Sequence, residues 1–289
     1  MTNFLKNITV VMHSARMVLW LPILWNVLLV SFYLHQTVAE ALILGLALCS
    51  TASFGFLIND LRDLPVDKIN RAGKLENASD DLLYSATITT RVFLSCGLLL
   101  SAMLGLRAFL AIAIVASGLA AYTFWIRPRL LLANLLAATL ASTPIWLPNI
   151  VFNSTPNFSQ TCIIAIAGLL LLGREIIFDI ADMRGDAHLK RRTISLIFGG
   201  PIAHRVAFTL QIIACLLLMT LSALEGLKLG LTLQLILLTT TAGFLLLVVP
   251  VNLELILNPQ RASLFSIFTA RTRLAMLLMP ILLLVLLRQ

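Results

Sequence analysis

Residues 40–67 read EALILGLALCSTASFGFLINDLRDLPVD, an apolar run that closes on three aspartates. About 20 consecutive, mostly apolar residues carry a helix across the hydrocarbon of a bilayer, and this stretch offers them. Asp60, Asp63 and Asp67 follow at spacing i, i+3, i+7, which is one face of a helix with 3.6 residues per turn. Such a carboxylate stripe repels itself unless cations lie against it. The pattern recurs further on: residues 161–180 read TCIIAIAGLLLLGREIIFDI, and Asp179, Asp182 and Asp186 repeat the same spacing. A cation trails each triplet at the same offset, Arg71 in the first and Lys190 in the second. Six of the 13 acidic residues in the chain are committed to this repeat, which suggests a divalent-metal site built from two half-sites.

The rest of the chain sets these runs in a membrane. Its 289 residues are 60% hydrophobic and 12% charged, with a mean hydropathy of +0.98, whereas a soluble domain is about 45–50% apolar and about 25% charged. The composition predicts an all-α polytopic membrane protein. Spans are expected at 17–36, 40–60, 86–106, 108–126, 131–152, 161–180, 203–223, 229–250 and 271–287. Lys6, His13 and Arg16 lead into a long span rather than a short apolar segment with a cleavage site, so no cleaved signal peptide is expected. With nine spans, the amino terminus and the connections after spans 2, 4, 6 and 8 hold every Lys and Arg except Arg107, Lys228 and Arg288. The positive-inside bias then puts the amino terminus and both triplets on the cytoplasmic side.

That distribution also accounts for the net charge of +8. The cations interleave with the acidic triplets, which favours lipid headgroups and phosphate-bearing substrates as partners and excludes nucleic acid; no protein partner is inferable. Cys49, Cys96, Cys162 and Cys215 lie scattered in apolar spans with no CxxC or Cys/His spacing and read as small buried hydrophobes. There is no glycine-rich phosphate loop, nucleophile elbow or HExxH, which removes support for ATP-driven transport and for serine or zinc hydrolysis. Span 2 runs into the first triplet and span 6 into the second. A single domain over 1–289 is therefore expected, with an internal repeat of approximately 17–126 and 131–250. Two four-helix units plus one helix would surround a central cavity open to the cytoplasmic side. A parallel repeat keeps both triplets on one side of the membrane.

Two facing carboxylate stripes have a specific use. Magnesium prefers oxygen and is held by one or two carboxylates together with substrate phosphates. Two such ions would clamp a diphosphate and make it a better leaving group, while the apolar spans hold a hydrocarbon tail. A polyprenyl diphosphate has that anatomy.

The residues themselves carry a resemblance. Residues 59–71, NDLRDLPVDKINR, closely resemble the NDxxDxxxDxxNR signature of UbiA-type intramembrane prenyltransferases. Residues 179–186, DIADMRGD, with Arg192-Thr193 downstream, are similar to the second motif of that family. Tyr122, Arg127 and Asn134 resemble its Tyr-x4-Lys/Arg segment and the asparagine beyond it. The resemblance implies nine transmembrane helices and magnesium-assisted transfer of a prenyl group from an isoprenyl diphosphate to an aromatic or other lipophilic acceptor. It implies that Asn59, Asp63 and Asp67 ligate one magnesium, with Asp60 nearby, and that Asp179, Asp182 and Asp186 serve a second. Asp63, Asp67, Asp182, Asp186, Arg71 and Arg127 then carry the catalysis. Arg71, Lys74, Arg127, Lys190 and Arg192 become candidate partners of diphosphate oxygens, with Tyr122 and Asn134 beside them.

The chain departs from the family pattern in two places. Where NRPxRP is common, it has Asn70-Arg71-Ala72-Gly73-Lys74-Leu75, and Thr193-Ile194-Ser195 replaces Thr-Leu-Pro. Lysine keeps a phosphate-binding charge but loses the bidentate fork of arginine, so the departure bears on substrate identity. It also keeps open a UbiA-type terpene cyclase that needs no acceptor. A transporter or lipid-binding protein is a third reading, weakened because the charges sit at span ends rather than mid-membrane.

Other polar and aromatic residues in the spans are expected to line the cavity or to bond between helices: Asn26, Asn134, and one of the adjacent pair Arg174 and Glu175. Arg16 is placed to help with the head group, and Glu254 with Asn258 at the mouth. Trp20, Trp25, Trp125, Trp146, Phe54 and Phe56 are candidates to stabilise an allylic cation. The proton released on transfer goes to a motif carboxylate such as Asp67, or to diphosphate.

Overall fold

The computed structural model describes residues 2–70, 75, 78–257 and 262–286, and among them every regular element is helical. The helices are α1 (Thr2–Ser14), α2 (Trp20–Tyr33), α3 (Val38–Asn70), α4 (Asp80–Met103), α5 (Leu106–Ala121), α6 (Leu132–Ala141), α7 (Thr143–Val151), α8 (Phe158–Ala181), α9 (Met183–His188), α10 (Ile194–Phe198), α11 (Gly200–Gly226), α12 (Leu231–Leu257) and α13 (Ala262–Leu286). Six of the described helices (α3, α4, α5, α8, α11 and α12) are long and apolar enough to cross a membrane. Each coincides with an expected span. The expected span at 17–36 is the second arm of a bent pair, Ile8–Ser14 and Met17–Tyr33, which meet at 49°. The span at 131–152 is divided between α6 and α7, because Pro144 opens the second of the two short helices. The amphipathic α1 was not foreseen.

Length explains where the first triplet sits. At 1.5 Å per residue the 33 residues of α3 reach about 50 Å, while the hydrocarbon is about 30 Å thick. One end of this helix must therefore project beyond the hydrocarbon, and the polar end from Asn59 to Asn70 is the one that can. Capping side chains start other helices: Ser79 accepts from the backbone N–H of Leu82, Asn157 from Gln160 and Thr193 from Leu196.

The apolar surface is arranged for lipid. Large side chains such as Leu99, Met103, Ile114, Phe158, Leu231 and Leu246 face outward, whereas Asp60, Asp63, Asn134 and Asp186 are buried. Cys49 and Cys215 are buried as expected, but Cys96 is exposed and Cys162 half-buried. Helical spacing turns Cys96 to the outer face of α4, so it is a lipid-side hydrophobe rather than a core one.

Four apolar clusters form among the described residues, and two of them tie most of the long helices together. One joins α2, α3, α5 and α7 through Val27, Leu44, Leu48, Ile112 and Leu147; the other joins α8, α11, α12 and α13 through Ile163, Leu218, Leu237, Phe244 and Leu282. Val30 of α2 packs into the second core, which closes the ring of helices into one body.

Each motif-bearing helix is gripped by a neighbour at a glycine. A Cβ on Gly97 of α4 would lie 2.5 Å from Thr51 Oγ1, and one on Gly173 of α8 would lie 2.8 Å from the Ala207 carbonyl oxygen of α11. Gly173→Ala is expected to destabilise the bundle by about 1–3 kcal/mol, because the obstructing atom is backbone. Gly168→Ala on the same helix meets nothing within 4 Å and is expected to be neutral or slightly stabilising. Unfolding midpoints of the two variants in detergent check the contrast.

Candidate active site

The two aspartate triplets meet. Asp63 of α3 is only 3% exposed, and its carboxylate collects three partners. Arg127 Nη1 forms an ion pair with Oδ2, Arg191 Nη2 lies 2.8 Å from Oδ1, and Asn59 Nδ2 donates to Oδ2 at 3.0 Å. The same two guanidiniums reach the second triplet. Arg191 Nη1 is 2.9 Å from Asp186 Oδ1, and Arg127 Nη2 is 3.9 Å from Asp182 Oδ2. Arg127 also donates to Asn59 Oδ1 at 2.7 Å. Helix α3 packs on α9 here, so motifs far apart in sequence share one cluster of alternating charge.

Local backbone geometry delivers both cations. After α5 the chain makes a π-helical turn over Tyr122–Ile126, closed by the bond from the Arg127 N–H to the Tyr122 carbonyl at 2.9 Å. Such single turns recur at functional sites, and this one sends Arg127 toward the carboxylates. Burial holds the Arg127 guanidinium below its ordinary value, at about 10, so it remains a cation at neutral pH.

After α9, Lys190 adopts the left-handed conformation, with φ of 53°. The turn folds the Arg191 N–H back onto the Asp186 carbonyl at 3.0 Å, and the Arg192 N–H bonds the Pro128 carbonyl at 3.2 Å. Arg191 is thereby carried inside, with 9% of its side chain exposed, while Lys190 and Arg192 stand exposed on either side. Sequence reading favoured those two neighbours and assigned Arg191 to topology alone. Nothing in a Lys-Arg-Arg run tells which member points inward; the left-handed residue decides it.

The remaining sequence candidates surround this cluster. Asn134 of α6 donates to Asp179 Oδ2 at 2.8 Å, and Ser195 Oγ donates to the Asp179 carbonyl at 3.0 Å. Asp60, 5% exposed, takes Arg16 Nη2 at 3.0 Å on Oδ1. Arg16 stands in the left-handed conformation at the bend between α1 and α2, 4.5 Å over the Phe56 ring. Asp67 and Asp182 are half-buried and engaged in contacts. Tyr122 is half-buried within electrostatic reach of Asp179 and Asp182. Arg71, Lys74 and Asn258 lie outside the described residues.

Several aromatic and polar candidates bond away from this cluster. Trp20 Nε1 donates to Ser53 Oγ, Trp146 Nε1 to Ser142 Oγ, and Asn26 Nδ2 to the Pro22 carbonyl. Trp125 and Glu254 are exposed. Arg174 and Glu175, expected to part to different faces, instead pair with each other at 2.7 Å.

The donor set suits magnesium. Five aspartates and an amide oxygen are hard oxygen donors, and two guanidiniums already occupy the positions where positive charge is wanted. Among the described residues no three His, Cys, Asp or Glu side chains form a ready-made metal cage.

Comparison with known proteins gives the family and the fold. Residues 19–268 match the model of the UbiA prenyltransferase family. A digeranylgeranylglyceryl phosphate synthase from Methanosphaera stadtmanae is 28% identical over 192 residues, covering 66% of this chain and 70% of the relative. Among solved structures, a UbiA homologue from Aeropyrum pernix superposes with a TM-score of 0.71 at 19% identity, over 90% of this chain and 95% of that one. One from Archaeoglobus fulgidus bound to GPP and Mg2+ gives 0.59 at 16% identity, over 91% and 98%. The fold, the charge cluster and the family match converge: this chain belongs to the UbiA prenyltransferase family, and it is a multi-pass membrane prenyltransferase.

Proposed function

We propose that this enzyme transfers the prenyl group of an isoprenyl diphosphate to a lipophilic small-molecule acceptor within the membrane, with magnesium, through an allylic carbocation. The observation that carries the reading is the double bridge by Arg127 and Arg191, which join Asp63 to Asp182 and Asp186. Carboxylates brought together around cations form a receptacle for a metal-bound diphosphate, and the A. fulgidus homologue binds GPP with Mg2+.

Asn59, Asp63 and Asp67 would hold one magnesium, and Asp179, Asp182 and Asp186 a second. When bound, the metal supplies Lewis acidity that makes the diphosphate a better leaving group. With those carboxylates engaged as ligands, Arg127 and Arg191 would be free to turn toward the diphosphate oxygens, which guanidinium donors match. These preorganised charges meet the negative charge that develops as the allylic C–O bond breaks. Asn134 fixes the rotamer of Asp179. Arg71 and Lys74, which follow the first triplet in sequence, would add further cations. The spans then form a nine-helix bundle of two related units around a cavity that opens on the cytoplasmic side, the side the positive charges select.

For the acceptor, an aromatic ring and a hydroxyl-bearing lipid are both chemically competent. The name of the M. stadtmanae relative points to a glyceryl phosphate lipid. The deciding experiment incubates the protein in lipid nanodiscs with magnesium and geranyl, farnesyl or geranylgeranyl diphosphate. Each donor is offered an aromatic acceptor, an isoprenoid glyceryl phosphate, or no acceptor. Magnesium-dependent prenylated product with one acceptor is the expected result, and EDTA is expected to abolish it. Cyclic hydrocarbon formed without acceptor would replace transfer by cyclisation, and no diphosphate release from any donor would overturn both.

A further inference from the structure

One charged pair lies below the clamp and takes no part in it. Arg174 and Glu175 sit inside the membrane-spanning part of α8, with side chains 19% and 16% exposed. Ionisable groups at such positions are costly and are kept where they pair or serve chemistry. Neighbouring residues on a helix do not face one another, yet here Arg174 wraps round so that Nε and Nη2 both donate to Glu175 Oε1, at 3.2 and 2.7 Å. The guanidinium also lies 5.5 Å over the Phe178 ring, which stacks edge-on against Phe268 of α13. The pair is fixed from two sides.

This fixation leaves one oxygen unused. Glu175 Oε2 makes no hydrogen bond among the described residues and is not sealed from solvent. Glu175 and Asp179 stand at i and i+4, one face of α8, and Asp182 caps the end of that helix. Glu175 is thus one turn, about 6 Å, from the second half-site on the bilayer side. Tyr122 is within electrostatic reach of both Glu175 and Asp179. A carboxylate oriented by a cation, with a free oxygen beneath the diphosphate clamp, is placed where an acceptor must approach.

We propose that Glu175 is the proton acceptor of the transfer reaction, oriented by Arg174. The proposal rests on the prenyl-transfer reading above. The allylic C–O bond breaks with its electron pair leaving on diphosphate, the acceptor oxygen or carbon forms the new bond to the allylic carbon, and the acceptor proton passes to Glu175 Oε2. From there it is returned to water or to the departing diphosphate, so charge and atoms balance for a hydroxyl and for an aromatic acceptor alike. Positioned bases of this kind contribute about 10²–10⁴-fold.

The test compares wild type, Glu175→Gln and Glu175→Asp in nanodiscs. It follows diphosphate released, prenylated product formed, and calorimetric binding of a non-ionising thiolodiphosphate analogue with magnesium. The glutamine variant keeps an oxygen for Arg174 but cannot take the proton. It is expected to bind the analogue within about twofold of wild type, to lose at least tenfold in transfer, and to raise the ratio of diphosphate released to product at least tenfold as the cation is diverted. The aspartate variant is expected to recover part of the coupling. Transfer within threefold of wild type in Glu175→Gln, or loss of transfer with the ratio unchanged, overturns the proposal. Loss of analogue binding shows Glu175 to be part of the clamp, which also overturns it. If the glutamine variant fails to fold, an aspartate variant that binds the analogue but shows no recovery of coupling does the same. Absence of diphosphate release by wild type itself would instead strike the underlying reading.

Discussion

Asp63→Ala is expected to abolish prenyl transfer, lowering turnover by about 10³-fold or more. Removing a single preorganised transition-state donor already costs about 10²–10³-fold, and Asp63 organises more than one. It is the carboxylate on which Arg127, Arg191 and Asn59 all converge, so its loss removes a proposed magnesium ligand and leaves each guanidinium only its partner in the second triplet. The variant is also expected to be less stable by about 3–5 kcal/mol in metal-free protein, because buried cations lose their partner. Turnover with saturating donor and magnesium, together with the unfolding midpoint in EDTA, reads both effects. Replacing Asp63 and Asp182 together should leave no detectable activity. Turnover in that double variant within tenfold of wild type would refute the paired site.

The second large effect is expected at Arg191. Arg191→Ala removes one of the two bridges between the triplets and leaves Asp63 and Asp186 short of a counter-charge at 3% exposure each. A loss of about 3–5 kcal/mol is expected in metal-free protein, as for breaking other buried pairs. Lys190→Ala and Arg192→Ala, one position to either side, are exposed and are expected to change stability by no more than about 0.5 kcal/mol. Magnesium with a diphosphate analogue should restore part of the Arg191→Ala deficit, because bound metal supplies the missing charge and ligand binding stabilises the folded state by mass action. Thermal unfolding of the three variants, with and without magnesium and analogue, checks the contrast. Equal effects at all three positions would show that the loop acts only through its overall charge.

Much of this was legible from residues 40–67 and 161–186. Hydropathy gave the membrane helices, since length and apolarity alone determine whether a helix can cross. The aspartate spacing gave the first half-site, because i, i+3, i+7 is a statement about one helix, α3; the second triplet is instead divided between the end of α8 at Asp179, the cap at Asp182 and α9 at Asp186. Asn134 was legible for a different reason: an amide in an apolar run must find a partner, and it finds Asp179. Arg191 was not legible, because its neighbours carry the same charge and only the left-handed turn at Lys190 selects it. The Arg174–Glu175 pair was misread because helical spacing separates adjacent side chains, whereas a long arginine can curl back. Pro144 divides the span at 131–152 into α6 and α7, but the packing of α6 on α8, which brings Asn134 to Asp179, is a tertiary matter.

The sequence by itself determined that this protein is a membrane-embedded helical enzyme with two oxygen-rich half-sites, because transfer free energy and helical periodicity are local properties of a chain. Only the tertiary structure decided which cations neutralise those half-sites, and that one carboxylate, Asp63, is shared between two of them. Charge neutralisation at buried carboxylates is a contact between segments brought together by packing, and it depends on where a turn points a side chain rather than on what the side chain is.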